Sequence, residues 1–260
     1  MQDHLTLIRK EFAQQADTMS KAALFNDAGI LNRIREAAQL TMQSRVLDVA
    51  CGPGIVVEAL ARVAGEVVAC DITPEMLVKT EQRCAAAGLT NVRCVPGRAE
   101  DLPFEDAAFD VVVSRSALHH FLDPAAALRE MARVVRAGGR IVNLDVVSSE
   151  NEAESALHNA LETLRDPSHV RMLSKSELNR ALESANLALE TCTEWADQRD
   201  FEDWIRITNA PERANPLRIV MTALAERGAT AGIGLRLGGG KIVFEHAKAL
   251  VVAVKRASAG

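Results

Sequence analysis

An open α/β fold is predicted for this chain, a mostly parallel sheet covered by helices on both faces. Three observations carry the prediction: short, wholly apolar β-branched runs, helical stretches placed between them, and turns marked by glycine or proline where one gives way to the next. Residues 5–40 read as helices, with Leu5, Ile8, Phe12 and Leu24, then Ile30, Leu31, Ile34 and Leu40, recurring at roughly helical spacing. From Arg45 the strand–helix alternation begins. Residues 46–49 form a first strand, followed by a glycine-rich turn and a helix over 55–64. Residues 67–70 form a second strand, and Thr73 as N-cap with Pro74 at the first helical position starts the next helix. Strands are expected at 92–95, 110–113 and 140–146, with a helix over 124–136 between the last two, closed by Gly138 and Gly139. After Val147 the rhythm turns helical, near 150–165, 174–185, 201–208 and 213–227, interrupted by a strand near 187–196. The stretches 235–237, 242–244 and 249–254 read as strands, with Gly238-Gly239-Gly240 as a hairpin turn.

Composition narrows the classes of function. The chain has 260 residues, 48% hydrophobic and 25% charged, enough apolar material to build a sizeable core rather than remain disordered. Thirty basic against 35 acidic residues give a formal charge of −5, and the basic ones are scattered, which argues against a nucleic-acid surface. No run of about 18 apolar residues exists to span a membrane. The amino end carries early acid and no unbroken apolar segment, so no secretory leader is expected. The five cysteines Cys51, Cys70, Cys84, Cys94 and Cys192 are odd in number and contain no Cys-x-x-Cys. They fit a reducing, cytoplasmic setting and offer no zinc spacing. The absence of tyrosine removes tyrosine acid–base chemistry.

Five segments carry chemistry. Val46-Leu47-Asp48-Val49-Ala50-Cys51-Gly52-Pro53-Gly54 is a strand running into a two-glycine turn before a helix, the place where ligands meet an open parallel sheet. Asp71 ends the second strand, placed to accept hydrogen bonds from both ribose hydroxyls of an adenosine. Val57 stands where a dinucleotide fingerprint wants Gly or Ala, which weakens a nicotinamide reading. Gly97-Arg98-Ala99-Glu100-Asp101-Leu102-Pro103-Phe104 follows the third strand, and Phe109 to Phe121 is a strand with His119 and His120 at its exit. Leu128 to Arg140 is a helix ending in glycines. Singly each signal is weak; in this order and spacing they are strong.

On these residues the chain resembles the class I S-adenosylmethionine-dependent methyltransferases, particularly the ubiquinone/menaquinone C-methyltransferase-like group (methyltransferase domain 11 type). The resemblance covers 45–147 and continues more loosely through Arg165 to Arg171 and Phe201 to Trp204. It implies a Rossmann-like seven-stranded sheet with an antiparallel last strand at 249–254 inserted beside strand six, all in one domain over 1–260. The parts would be cap helices over 1–44, a cofactor-binding core over 45–147, a helical substrate cap with strand six over 148–230 and C-terminal strands over 231–260. It further implies that Asp48, Ala50, Gly52 and Gly54 line the amino-acid end of S-adenosyl-L-methionine. Asp71 would hold its ribose, Ile72 would pack on adenine, Ala99 and Glu100 would lie at the adenine edge, and Ser114 near the methionine. Arg98 departs from the family, which commonly has an Asp there to accept from the adenine amino group; Arg has no acceptor.

The acceptor implied is a small organic molecule, quinone-like or a secondary metabolite, methylated at carbon, oxygen or nitrogen. His120 and His169 are the candidates for base or substrate orienter, and His119, Asp145 and Arg171 for substrate contacts. Ser114 stands where a metal-dependent catechol-type site would want a carboxylate, so no metal is expected. A homodimer is left open. Two rival readings stand beside this one: a cofactor-binding protein of the same fold without methyl transfer, and an NAD-dependent oxidoreductase.

Overall fold

A computed structural model describes residues 2–256. Helices α1 (Gln2–Lys21) and α2 (Ala28–Ala38) precede the sheet, α2 opened by the Asp27 carboxylate accepting from Ile30 N–H at 2.8 Å. Then β1 (Arg45–Val49), α3 (Ile55–Ala61), β2 (Glu66–Asp71), α4 (Pro74–Ala86), β3 (Val92–Pro96), β4 (Phe109–Arg115), α5 (Pro124–Val134) and β5 (Val135–Val146) alternate as expected. The chain continues through α6 (Glu152–Arg165), α7 (Lys175–Ser184), β6 (Leu187–Asp200), α8 (Phe201–Arg206), α9 (Ala214–Glu226), β7 (Arg236–Gly238) and β8 (Lys241–Lys255).

The strands form one sheet in the order β3-β2-β1-β4-β5-β8-β6, with β7 pairing β8 off that path. Strands β1 to β5 are parallel, and β8 runs antiparallel to both β5 and β6. The expected inserted, antiparallel last strand is therefore present. The sheet has eight strands among the described residues rather than seven, because β7 folds onto β8 as a hairpin across the glycine triplet. Residues 242–244 and 249–254, expected as separate strands, are one continuous strand. Gly138 and Gly139 do not close α5, which passes directly into extended backbone at Val135. They sit inside β5 instead, where the register against β4 slips between Phe109 and Val111. A Cβ on Gly139 would lie 2.7 Å from the Asp110 carbonyl oxygen, so glycine is needed there for strand contact rather than for a cap.

Successive strand residues point to opposite faces, and each face carries its own core. Leu47, Val68, Val112 and Ile141 pack against Leu128 and Met131 of α5 and Leu178 and Leu182 of α7. Val46, Val67, Val111 and Val142 pack against Ile34 of α2, Leu60 of α3 and Leu77 of α4. β6 and β8 pair well beyond the reach of β5. On that overhang a third cluster, including Leu161, Trp204, Met221 and Phe244, joins α6, α8 and α9. No helix among the described residues is long and apolar enough to cross a membrane.

Candidate active site

From β1 the chain steps one way to β2 and the other way to β4, which opens a crevice at the carboxyl ends of the strands. A pocket lies there with about 1000 Å³ of empty space, mouth included, at the upper end of small-molecule sites. Its floor is the turn after β1. Ala50, Gly52 and Gly54 all take positive φ. At Gly52 a Cβ would meet nothing within 4 Å, so its open side is free for a ligand; at Gly54 a Cβ would lie 2.8 Å from the backbone of Thr80. Gly54 thus serves the packing of the turn on α4, and it does not line the pocket.

Two carboxylates face the pocket from neighbouring strands. Asp71 Oδ2 accepts from Gly52 N–H at 2.9 Å and Oδ1 from Thr73 N–H at 2.8 Å. A carboxylate has about four lone-pair sites, so each oxygen retains capacity for a ligand hydroxyl. Burial raises the Asp71 pKa, with those amides opposing it. Asp48 is 1% exposed and its Oδ2 has no hydrogen-bond partner. Burial and the Asp71 charge push its pKa up to about 8, against the opposing Arg115 guanidinium. Ionising a buried acid in that state costs free energy that a positive charge or added hydrogen-bond donors would offset. Ile72, Ala99 and Glu100 line the far side, with Arg98, which lies 3.8 Å from Glu100.

The roof is α1. Leu5, Ile8, Phe12 and Met19 face the pocket, and polar ties hold the helix over it. Arg9 Nε donates to the Ile72 carbonyl at 3.2 Å, and Gln15 Nε2 to Asp166 Oδ2 at 2.8 Å. Buried Glu11 pairs with Arg213 at 2.7 Å. Beneath this roof His120 lines the pocket, its ring 4.8 Å from that of Phe12, edge to face. His120 Nδ1 lies 3.1 Å from the Ser168 carbonyl oxygen. A carbonyl only accepts, so Nδ1 carries the proton and Nε2 keeps its lone pair. Burial and neighbouring His119 hold the ring's pKa down at about 4. It is therefore neutral at physiological pH.

The remaining expected residues lie outside the lining. Ser114 is fully buried, its Oγ donating to the Val49 carbonyl at 3.0 Å, and the pocket wall at the end of β4 is Arg115, Ser116 and Ala117 instead. His119 and Asp145 are joined at 2.6 Å. Burial works against a charged His119, but Asp145 outweighs it and the ring's pKa is raised. His169 Nε2 meets Asn159 Oδ1 at 2.8 Å behind His119, with its pKa held at about 3 by burial and by His119. Arg171 is exposed and paired with Glu177. Two groups in and beside the pocket are not among the site residues that the sequence singles out, although a helical cap over 1–44 is expected there. One is the apolar stripe of α1, which at residues 5, 8, 12 and 19 looks like ordinary core spacing. The other is the Gln15–Asp166–Ser168 chain that seats His120; its local signal is the Asp166-Pro167 dipeptide, a turn-forming pair.

A family described as a methyltransferase domain matches residues 47–143. The uncharacterized methyltransferase YcgJ of Bacillus subtilis strain 168 is 32% identical over 200 residues, 77% of this chain and 79% of that protein. The crystal structure of YcgJ superimposes with a TM-score of 0.81 at 31% identity, over 88% of this chain and 98% of that one. A demethylmenaquinone methyltransferase of Clavibacter sepedonicus is 30% identical over 203 residues, 78% of this chain and 76% of the relative.

Proposed function

The chain belongs to the methyltransferase-domain family, and on that premise we propose that it transfers the methyl group of S-adenosylmethionine to a small, largely apolar acceptor held beneath α1. The observation that carries this reading is the pair Asp48 and Asp71 on one pocket floor. One is a buried acid with an unsatisfied oxygen, and the other is a carboxylate with lone pairs to spare. Asp48 suits the donor's ammonium group and Asp71 its ribose hydroxyls, while Ile72, Ala99 and Glu100 suit the adenine. Bound there, S-adenosylmethionine supplies an electrophilic sulfonium methyl.

The protein's own part is alignment and exclusion of water, and orientation alone can contribute about 7–11 kcal/mol. The acceptor wall is Phe12, Phe25, Phe121 and the apolar stripe of α1, which favours a quinone-like or similar apolar ring over a highly charged molecule. His120 orients an acceptor hydroxyl or amine through Nε2. A base with a pKa of about 4 takes the acceptor's proton only as methylation makes that proton acidic.

Calorimetry with S-adenosylmethionine tests the reading. Binding is expected to release a proton near neutral pH, because a cation favours the ionised form of an Asp48 that is otherwise protonated below about 8. Affinity then rises as pH increases toward 8, above which the donor's own ammonium begins to deprotonate, and Asp48→Asn abolishes that rise. Absence of binding would falsify the function, and pH-independent binding would remove the Asp48 assignment. For His120→Ala we expect kcat to fall about 10²-fold with donor affinity unchanged, read from release of S-adenosylhomocysteine across a panel of quinols and phenols. The wild-type rate should show no loss attributable to this ring between pH 6 and 9, well above its pKa of about 4. Equal turnover by the variant would reduce His120 to packing.

A further inference from the structure

We infer that His158, Glu162 and His246 form a binding site for a divalent transition-metal ion, outside the pocket beneath α1, tying cap helix α6 to strand β8. His158 and Glu162 stand four residues apart on α6, so helical geometry places them on one face; His246 reaches the same point from β8. One donor atom from each residue lies within 4.8 Å of the other two. His246 Nε2 is 3.1 Å and His158 Nε2 3.8 Å from Glu162 Oε1. The three residues are 2%, 6% and 7% exposed in chain order, and each Nε2 faces the Glu162 carboxylate without well-aligned hydrogen-bond geometry and meets no other partner. Two buried imidazole nitrogens therefore converge on one carboxylate in contacts that are poorly aligned as hydrogen bonds, and a buried polar cluster of that kind calls for a physical reason.

The spacing suits an ion. Ligands about 2.0–2.2 Å from a tetrahedral zinc stand roughly 3.3 Å from one another, so modest side-chain rotation closes the set. The carboxylate is already oriented from behind: Arg165 Nη1 donates to Oε2 at 2.9 Å and Trp204 Nε1 to Oε1 at 3.1 Å, the outer support that metal-binding carboxylates use. Arg165 also settles the class of ion. With its charge offsetting that of Glu162, Coulomb attraction holds a hard cation such as Mg²⁺ or Ca²⁺ poorly, whereas imidazole donors retain Zn²⁺, Co²⁺ or Ni²⁺. Three protein ligands leave a fourth position for water. The neighbour of His158 on α6, Asn159, accepts from His169 and from Met172 N–H. Fixing α6 to β8 therefore also steadies the segment whose Ser168 seats His120.

The test is titration of chelator-treated full-length protein with Co²⁺, followed by competition with Zn²⁺. We expect one equivalent bound with the intense visible bands of four-coordinate cobalt, no thiolate charge-transfer band, and a higher unfolding temperature when zinc is present. His158→Gln and His246→Ala should each weaken uptake by about a hundredfold or more. X-ray absorption on the cobalt-loaded wild type reads the shell independently of how any variant folds. Two imidazoles without sulfur support the site. No stoichiometric uptake, a sulfur-containing shell, or full uptake by both histidine variants overturns it.

Discussion

Replacing Asp71 by alanine is expected to weaken binding of S-adenosylmethionine by at least about a hundredfold while leaving most of the sheet intact. Hydrogen bonds to a charged group contribute about 1.5–3 kcal/mol each, and the proposed contact makes two of them to the ribose. Their loss amounts to roughly 3 kcal/mol or more, and each 1.4 kcal/mol is tenfold in Kd. The same carboxylate accepts the Gly52 and Thr73 amides, so the alanine variant also loosens the turn beneath the ligand. Asp71→Asn separates the two effects. It keeps an oxygen to accept one amide, lacks the charge, and should show an intermediate loss of affinity with smaller loss of stability. Calorimetry with S-adenosylmethionine and S-adenosylhomocysteine, paired with thermal unfolding, checks both. Affinity within a factor of about three of wild type in a folded Asp71→Ala protein would remove the ribose assignment.

The floor of the pocket is legible in the sequence because its logic is local. A strand must end, the chain must turn through positive φ at Gly52 and Gly54, and the acid on the next strand follows at a spacing set by one intervening helix. The pairing of β1 with β2 then brings Asp48 and Asp71 to one floor. The acceptor end was not readable in this way. Whether the stripe Leu5, Ile8, Phe12 and Met19 packs in a core or roofs a pocket depends on where α1 lies. That placement is decided by long-range ties such as Glu11 to Arg213 and Gln15 to Asp166, which leave no periodic trace. Ser114 shows the opposite failure. It stands at the end of β4 as the sequence predicts, but strand alternation turns it onto the Val49 carbonyl, and Arg115 after it lines the pocket. Glycine after a helix usually ends it, which is why the sequence predicts a helix stop at Gly138 and Gly139; the close approach of β4 explains them instead. The His158, Glu162 and His246 cluster has no compact sequence signature, because one of its members arrives from a strand more than eighty residues away.

Asp145→Ala is expected to cost about 3–5 kcal/mol of stability, a large effect for a residue that does not line the pocket. Its carboxylate is 4% exposed. It accepts from Ala117 N–H at 3.1 Å, Leu118 N–H at 2.8 Å and Val146 N–H at 2.7 Å, and meets His119 Nδ1 at 2.6 Å. Alanine leaves those buried donors without their acceptor, each at about 1–3 kcal/mol before relaxation and water entry reduce the sum. The charge matters as well as the shape. Burial favours the neutral acid, yet His119 and the amides hold the Asp145 pKa below its usual value, while Asp145 raises that of His119. The Asp145 contribution is therefore present above the ordinary carboxylate pKa and lost as pH falls through its lowered one. The His119 contribution is present below about 6.5 and lost as pH rises through its raised one. Asp145→Asn should consequently fall between wild type and alanine, and should lose the alkaline part of this dependence. Urea unfolding followed by circular dichroism from pH 5 to 9 measures all three proteins. Because the same amides shape the turn that carries His120, we also expect residual folded Asp145→Ala protein to lose kcat while retaining much of its affinity for the donor. A loss of stability under about 1 kcal/mol would show that water replaces the carboxylate at little cost, and the turn would then owe its shape to packing alone.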